Sequence, residues 1–247
     1  MLTNSDSSRG GTGAESGPAS RVRAVLFDLD GTLIDSIPLI LSSFRYATET
    51  VLGQALPDEM LMHNIGVPLV RQMNEFDPGH ADELLRVYRA HNDVHHDAAM
   101  LEYPGTERAL ECLREAGYPL GVVTSKSGAG ARRGLELFGL DRFFPVLVSC
   151  DDTDRHKPDP EPLRHAAALL GIPIEECAYV GDSEHDMAAA VAAGAVGIAA
   201  LWGPFPAERV LAPGPEYALG SISQLSGLLA GDEARYRVIG GGIPPRL

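Results

Sequence analysis

Positive charge is scarce in this chain: 20 Lys and Arg stand against 34 Asp and Glu, a formal net charge of −14. Such a surface argues against nucleic acid and anionic membrane as partners, and a negatively charged substrate needs local help from a metal or a few placed cations. Cysteine is scarce as well. Cys112, Cys150 and Cys177 are widely spaced and form no CxxC pair, which points to small buried thiols in a reduced, cytoplasmic protein. No apolar run approaches membrane-spanning length. Residues 1–20, "MLTNSDSSRGGTGAESGPAS", have no apolar signal region and are expected to form a disordered tail.

What the chain does have is an orderly change of period. Its 247 residues suit one large domain or a core with a smaller inserted lobe. Val22 to Asp30 is a continuous apolar run closed by two carboxylates, the pattern of a central parallel strand buried on both faces. From Ile37 the spacing turns helical: Ile37, Ile40, Leu41, Phe44, Val51 and Leu52 recur at helical steps until Gly53 stops them. Residues 38–102 are expected to form an all-helical cap, in which Leu84, Val87, Tyr88, His91 and His95 share one stripe. After Tyr103-Pro104-Gly105, helix and strand alternate strictly, through "YPLGVVTS", "FPVLVSC", "CAYVGD" and "VGIAALW". The expected class is α/β: a Rossmann-like three-layer core around a parallel sheet, residues 21–37 and 103–231, with the helical cap inserted and a loose tail at 232–247.

Unpaired carboxylates at the mouth of the most apolar strand are expensive to desolvate, so Asp28 and Asp30 require an explanation. Thr124 and Ser125 end the next strand of the alternating region, and Gly181-Asp182 a later one. Lys157 lies in the loop before a helix opened by Asp159-Pro160. In an open α/β sheet the carboxyl ends of the strands share one rim, where ligands bind. Acids, a hydroxyl and a lysine gathered there, with Asp186 one turn into the following helix, suit phosphoryl transfer assisted by a hard divalent cation. Oxygen ligands favour Mg2+. Taken singly, each residue has a plainer reading. A strand-end Asp caps a turn, Asp186 complements a helix dipole, Lys157 is a solvated loop cation, and Thr124 is a strand-end hydroxyl. Convergence on one rim favours the functional reading. His91 and His95 are spaced as metal ligands can be, but their apolar stripe favours packing or substrate contact.

"DLDGT" after an apolar strand, "VVTS", "KPDP" and "GDSEHD", in that order, resemble the four motifs of the haloacid dehalogenase-like phosphatases. The likeness spans roughly Val22 to Leu229. The helical insertion directly after the first motif is similar to the cap of the subfamily that includes phosphoglycolate phosphatases, β-phosphoglucomutases and a bacterial inorganic pyrophosphatase. Its "LSSF", "IGVPL" and "HNDVHHD" segments look most like the pyrophosphatase branch. The resemblance implies that Asp28 is a nucleophile forming an aspartyl-phosphate and that Asp30 is the general acid and base. It implies a phosphoryl contact for Thr124 and charge compensation by Lys157. Gly31 would permit the sharp turn beside the phosphoryl group, with Ser125 nearby. Asp28, Asp30 (through its carbonyl) and Asp182 would hold Mg2+, with Asp186 close by.

The substrate implied is a small phosphorylated metabolite or pyrophosphate, and the cap is expected to act as a lid hinged at Asp35-Ser36 and Tyr103-Pro104-Gly105. Arg71 and His91 are the expected cap contacts to substrate. Asp30 argues against dehalogenation, since dehalogenases of this kind lack the second aspartate. A phosphomutase keeps both acids and stays open, as does a catalytically silent binding protein on the same fold.

Overall fold

The computed structural model describes residues 18–63, 65–238 and 240–244. In chain order, β1 (Ala24–Phe27) leads through a tight turn to β2 (Ile34–Asp35). Four helices follow: α1 (Ile37–Leu52), α2 (Asp58–His63), α3 (Leu69–Phe76) and α4 (Ala81–Ala99). The chain returns through β3 (Leu101–Glu102). Alternation then runs α5 (Thr106–Glu115), β4 (Leu120–Val123), α6 (Gly128–Leu137), β5 (Val146–Val148), α7 (Glu161–Leu170) and β6 (Cys177–Gly181). It closes with α8 (Glu184–Ala193), β7 (Val196–Ala200), α9 (Ala207–Leu211), β8 (Tyr217–Leu219), α10 (Leu225–Leu229) and α11 (Glu233–Tyr236).

The main sheet is six-stranded in the order β5-β4-β1-β6-β7-β8, and every neighbouring pair is parallel. This is the expected α/β sheet with helices on both faces. β1 shows why its run is apolar throughout. Val25 and Phe27 enter a cluster with α5, α6 and α10, while Ala24 and Leu26 enter one with α7 and α8. A fully buried Leu or Phe contributes about 1.5–3 kcal/mol, so polar substitution on either face is costly. The strand is shorter than the apolar run because the chain bends at Leu29, just past Asp28.

Helix boundaries follow local chemistry. Gly53, Gly171 and Gly194 adopt left-handed φ angles of 73°, 70° and 83° just beyond α1, α7 and α8, as the stop signals predict. Pro160 stands at the N-cap of α7, one position later than expected, and Asp159 Oδ1 just outside it accepts the N–H of Glu161 at 2.9 Å. The antiparallel pair β2–β3 joins Ile34 to Glu102 and Asp35 to Leu101, tying together the two ends of the helical insertion. Inside it α1 runs along α4, with Phe44 edge-on to Phe76 at 5.2 Å and tilted against Tyr88 at 4.9 Å.

Two terminal expectations need correction. Residues 1–17 of the expected N-terminal tail lie outside the described residues, but Pro18–Arg21 forms a 3-10 turn. There Ala19 is buried and its N–H donates to the Tyr217 hydroxyl at 3.1 Å. The stretch after Gly231 is likewise not a loose tail as far as residue 238. Tyr236 is buried in the core, Tyr217 donates to Glu233 Oε2 at 2.7 Å, and Val238 N–H reaches Glu216 O at 3.0 Å. Among the described residues no helix is long and apolar enough to cross a membrane.

Candidate active site

Because β4, β1 and β6 are neighbours, the residues just past their ends are neighbours too. Thr124 follows β4, Asp28 follows β1, and Asp182 follows β6. Backbone bonds extend the ladders one step further: Asp28 N–H donates to Val180 O and Thr124 N–H to Val148 O, both at 2.9 Å. The three side chains are thereby fixed on one rim by the sheet itself. All are buried.

Lys157 arrives from the loop before α7 and is only 2% exposed. Its Nζ donates to Asp28 Oδ1 at 2.8 Å and to Asp186 Oδ1 at 2.6 Å, and meets the Tyr179 hydroxyl at 3.0 Å. Asp186 is saturated. Its second oxygen accepts from Ser183 N–H at 3.0 Å and from Ser183 Oγ at 2.6 Å, a reciprocal cap on α8. Asp186 therefore caps α8 and pairs with Lys157 at the same time. Asp182 Oδ1 accepts from Thr32 Oγ1 at 2.8 Å. Among the described residues no hydrogen bond reaches Asp28 Oδ2 or Asp182 Oδ2.

The charges do not balance. Three buried carboxylates, Asp28, Asp182 and Asp186, each offer an oxygen within 4.8 Å of the others, and one ammonium sits among them. Burial pushes the Asp28 carboxyl up to about 7 despite Lys157. Burial, with Asp186 and Asp28 as like charges, holds Asp182 well above the usual carboxylate range. For Asp186 burial acts in the same direction, but Lys157 outweighs it and keeps that carboxyl low. Desolvation works against the Lys157 cation, yet Asp186 and Asp28 raise its pKa and hold it as an ammonium. Fully ionised, the three carboxylates would exceed Lys157 by two negative charges, and that excess with two unbonded carboxylate oxygens fits one divalent cation with hard-oxygen preference. Asp28 and Asp182 present the open donors, and Asp186, fully engaged, stands behind them.

Asp30 occupies the next position on the rim. Lys126 Nζ at 2.8 Å and Ser36 Oγ at 2.5 Å both donate to its Oδ1. Directly after Asp30 the chain must turn, and Gly31 does so at φ +89°. A Cβ there would also collide with the Asp182 carboxylate, so only glycine suits the position. Gly203, past the end of β7, is packed just as tightly against Asp182 Cβ. Gly203→Ala must therefore displace that carboxylate, and overpacking of this kind costs about 1–3 kcal/mol. The expected result is a lower Tm with Mg2+ affinity reduced more than tenfold (on the scale of losing support for a metal ligand), read by calorimetric titration. An unchanged affinity would show that Asp182 tolerates the shift.

A cavity of about 370 Å³ opens where the insertion meets this rim. Asp28, Asp30, Thr124, Ser125, Lys126 and Asp182 line it, while Lys157 and Asp186 lie behind Asp28. Thr124 Oγ1 accepts the Lys126 N–H at 3.1 Å, which positions both residues. The two expected cap contacts are not there. Arg71 pairs with Glu75 at 3.3 Å on the outer side of α3, whereas Leu69, Val70 and Gln72 face the cavity. On α4 the cavity side carries Tyr88, Arg89, Asn92 and Asp93. At about 100° per residue His91 lies roughly a third of a turn away from that face. It bonds Ser43 Oγ at 3.1 Å and stacks on Tyr46 at 4.6 Å.

The sequence profile of the haloacid dehalogenase-like hydrolases matches residues 25–200. A pyrophosphatase PpaX of Halalkalibacterium halodurans is 38% identical over 204 residues, covering 83% of this chain and 95% of the relative. Among solved structures, a haloacid dehalogenase-like hydrolase of Bacteroides fragilis superposes with a TM-score of 0.77 at 27% identity, over 83% of this chain and 99% of the other. A Lactobacillus plantarum protein described as a phosphoglycolate phosphatase gives 0.76 at 25% identity, over 84% and 99%.

Proposed function

The chain belongs to the haloacid dehalogenase-like hydrolase family, and from that membership we propose that it is a Mg2+-assisted phosphatase working through an aspartyl-phosphate on Asp28. The observation that carries this reading is the buried trio of carboxylates against the single ammonium of Lys157. Asp28 and Asp182, with Asp186 behind them, would hold Mg2+, which supplies positive charge against the phosphoryl oxygens. Lys157, bonded to Asp28 Oδ1, holds the carboxylate in place for attack on phosphorus. Thr124 and the N–H groups of the turn after Asp28 are donors for phosphoryl oxygens. Asp30 gives its proton to the departing oxygen and takes one from the water that cleaves the intermediate.

The helices of residues 38–102 act in this reading as a cap that closes the site and excludes water. Three free thiols, Cys177 buried and the other two half-buried, support a reducing cytoplasm as its setting. The relatives' names support pyrophosphate or a small phosphate ester as substrate.

Phosphate release that needs Mg2+ and stops with EDTA tests the reading directly. Asp30→Asn should slow an alkyl phosphate by about 10²–10⁴-fold. It should slow p-nitrophenyl phosphate far less, because that leaving group departs without a proton. Equal losses on both would remove Asp30 from acid catalysis.

A further inference from the structure

The cavity that ends at Asp28 and Asp30 is, at about 370 Å³, within the range of sites that enclose an organic ligand. Its wall away from the carboxylates carries a continuous apolar stretch, with Gln72, Arg89, Asn92 and Asp93 beside it. Ile40, Phe44, Ile65, Val67 and Leu69 come from the insertion and Phe205 from the core. All but Leu69 are buried. The cations at the cavity are mostly engaged: Lys126 pairs with Asp30 at 2.8 Å, and Arg133 with Asp97 at 3.0 Å. Arg89, on the exposed edge, is the one lining cation for which no ion pair is found among the described residues.

That wall discriminates between leaving groups. A second phosphoryl group would bring further negative charge against apolar side chains, with a single uncommitted guanidinium to replace its lost hydration. An alkyl or aryl body loses no such hydration and gains by leaving water. Resting on the phosphatase reading above, we propose that the leaving group this site accepts is an organic body with apolar surface. The substrate is then a phosphate monoester of an alcohol, not a compound whose leaving group is a second phosphate. As the bond from Asp28 to phosphorus forms, the ester O–P bond breaks and its electron pair stays on the ester oxygen. That oxygen takes the Asp30 proton and leaves as the alcohol. Water then adds its oxygen to phosphorus, the Asp28–phosphorus bond breaks, one water proton passes to Asp30, and inorganic phosphate is the second product.

The test is a ladder of n-alkyl phosphates, methyl to hexyl, with pyrophosphate alongside, on the purified protein with Mg2+. Alkyl leaving groups differ little in basicity, so differences in kcat/KM report binding of the chain. Burying each methylene should raise kcat/KM by about three- to fourfold until the cavity is filled. Pyrophosphate, chemically the easier substrate, should be slower than hexyl phosphate. Val70→Asp, at the half-exposed lip, and Leu69→Asp should each flatten the ladder. A flat ladder with pyrophosphate fastest overturns the inference and leaves the phosphatase reading standing. So does a ladder that both variants leave unchanged. No turnover of any of these compounds overturns the reading itself.

Discussion

Asp28→Asn should abolish phosphate release, lowering kcat/KM by at least about 10⁴-fold on every substrate, because an amide neither attacks phosphorus nor carries charge to a cation. The fold should survive. Asparagine has the same shape, and the backbone N–H that joins Asp28 to Val180 is untouched. Stability gives the variant a second signature. In the metal-free protein burial pushes the Asp28 carboxyl up to about 7, against about 3.9 in an unfolded chain. Between those values the folded state holds a proton that the unfolded chain has released. The contribution of this group to stability therefore falls as pH rises through that window. Asparagine has no such proton, so metal-free Asp28→Asn should gain Tm relative to the parent as pH goes from about 4 to about 7. With Mg2+ the order reverses, since the variant has lost a ligand anion and gains less from the cation. Near-parental turnover in the variant would end the nucleophile assignment. A Tm difference independent of pH would mean that Asp28 is not buried as a costly charge.

Much of this site could be read in the sequence because its residues sit at element ends. Asp28, Thr124 and Asp182 each follow an apolar run, and parallel strands bring their carboxyl ends to one rim whatever their order. The stops at Gly53, Gly171 and Gly194 were legible for a similarly local reason, since each ends a helical pattern with a residue suited to left-handed φ. Contacts set by packing between elements were not. Tyr179 lies inside an apolar strand, and its hydroxyl beside Asp186 and Lys157 leaves no mark on spacing. Thr32, Ser183 and Gly203 support the carboxylates from loops whose course depends on the finished sheet. Lys126 was visible as a neighbour of Thr124, but its pairing with Asp30 needs the approach of β1 and β4.

The insertion shows the same limit. Leu84, Val87 and Tyr88 are buried as their stripe predicts. Which of the remaining faces of α4 turns toward the rim depends on how the whole helix docks. That choice exposes Arg89 and Asn92 to the cavity and leaves His91 against Tyr46. Periodicity separates the inside of a helix from its outside. It does not say which neighbour the inside meets.

Lys157→Met should be damaging twice over. Among the described residues the ammonium is the only positive charge bonded to Asp28 and Asp186, and removing one partner of a buried ion pair costs about 3–5 kcal/mol. Activity should fall by at least about 10³-fold on all substrates together, the scale of losing one or more charge-stabilising donors, because the lysine serves the phosphoryl end and not the leaving group. The stability loss should depend on pH. Without the lysine both carboxyls keep their protons to higher pH in the folded state than in the unfolded chain. Stability of the variant relative to the parent therefore declines as pH rises, and the deficit is smallest in mild acid. A second substitution separates structure from catalysis. In Lys157→Met/Asp186→Asn the unpaired charge behind Asp28 is gone, and Ser183 can still bond the side chain that caps α8. Metal-free Tm should recover much of the loss while kcat stays low. Recovery of both would make Lys157 a structural counter-ion only. Recovery of neither would show that the Tyr179–Asp186–Lys157 contacts act as one unit that tolerates no neutral replacement.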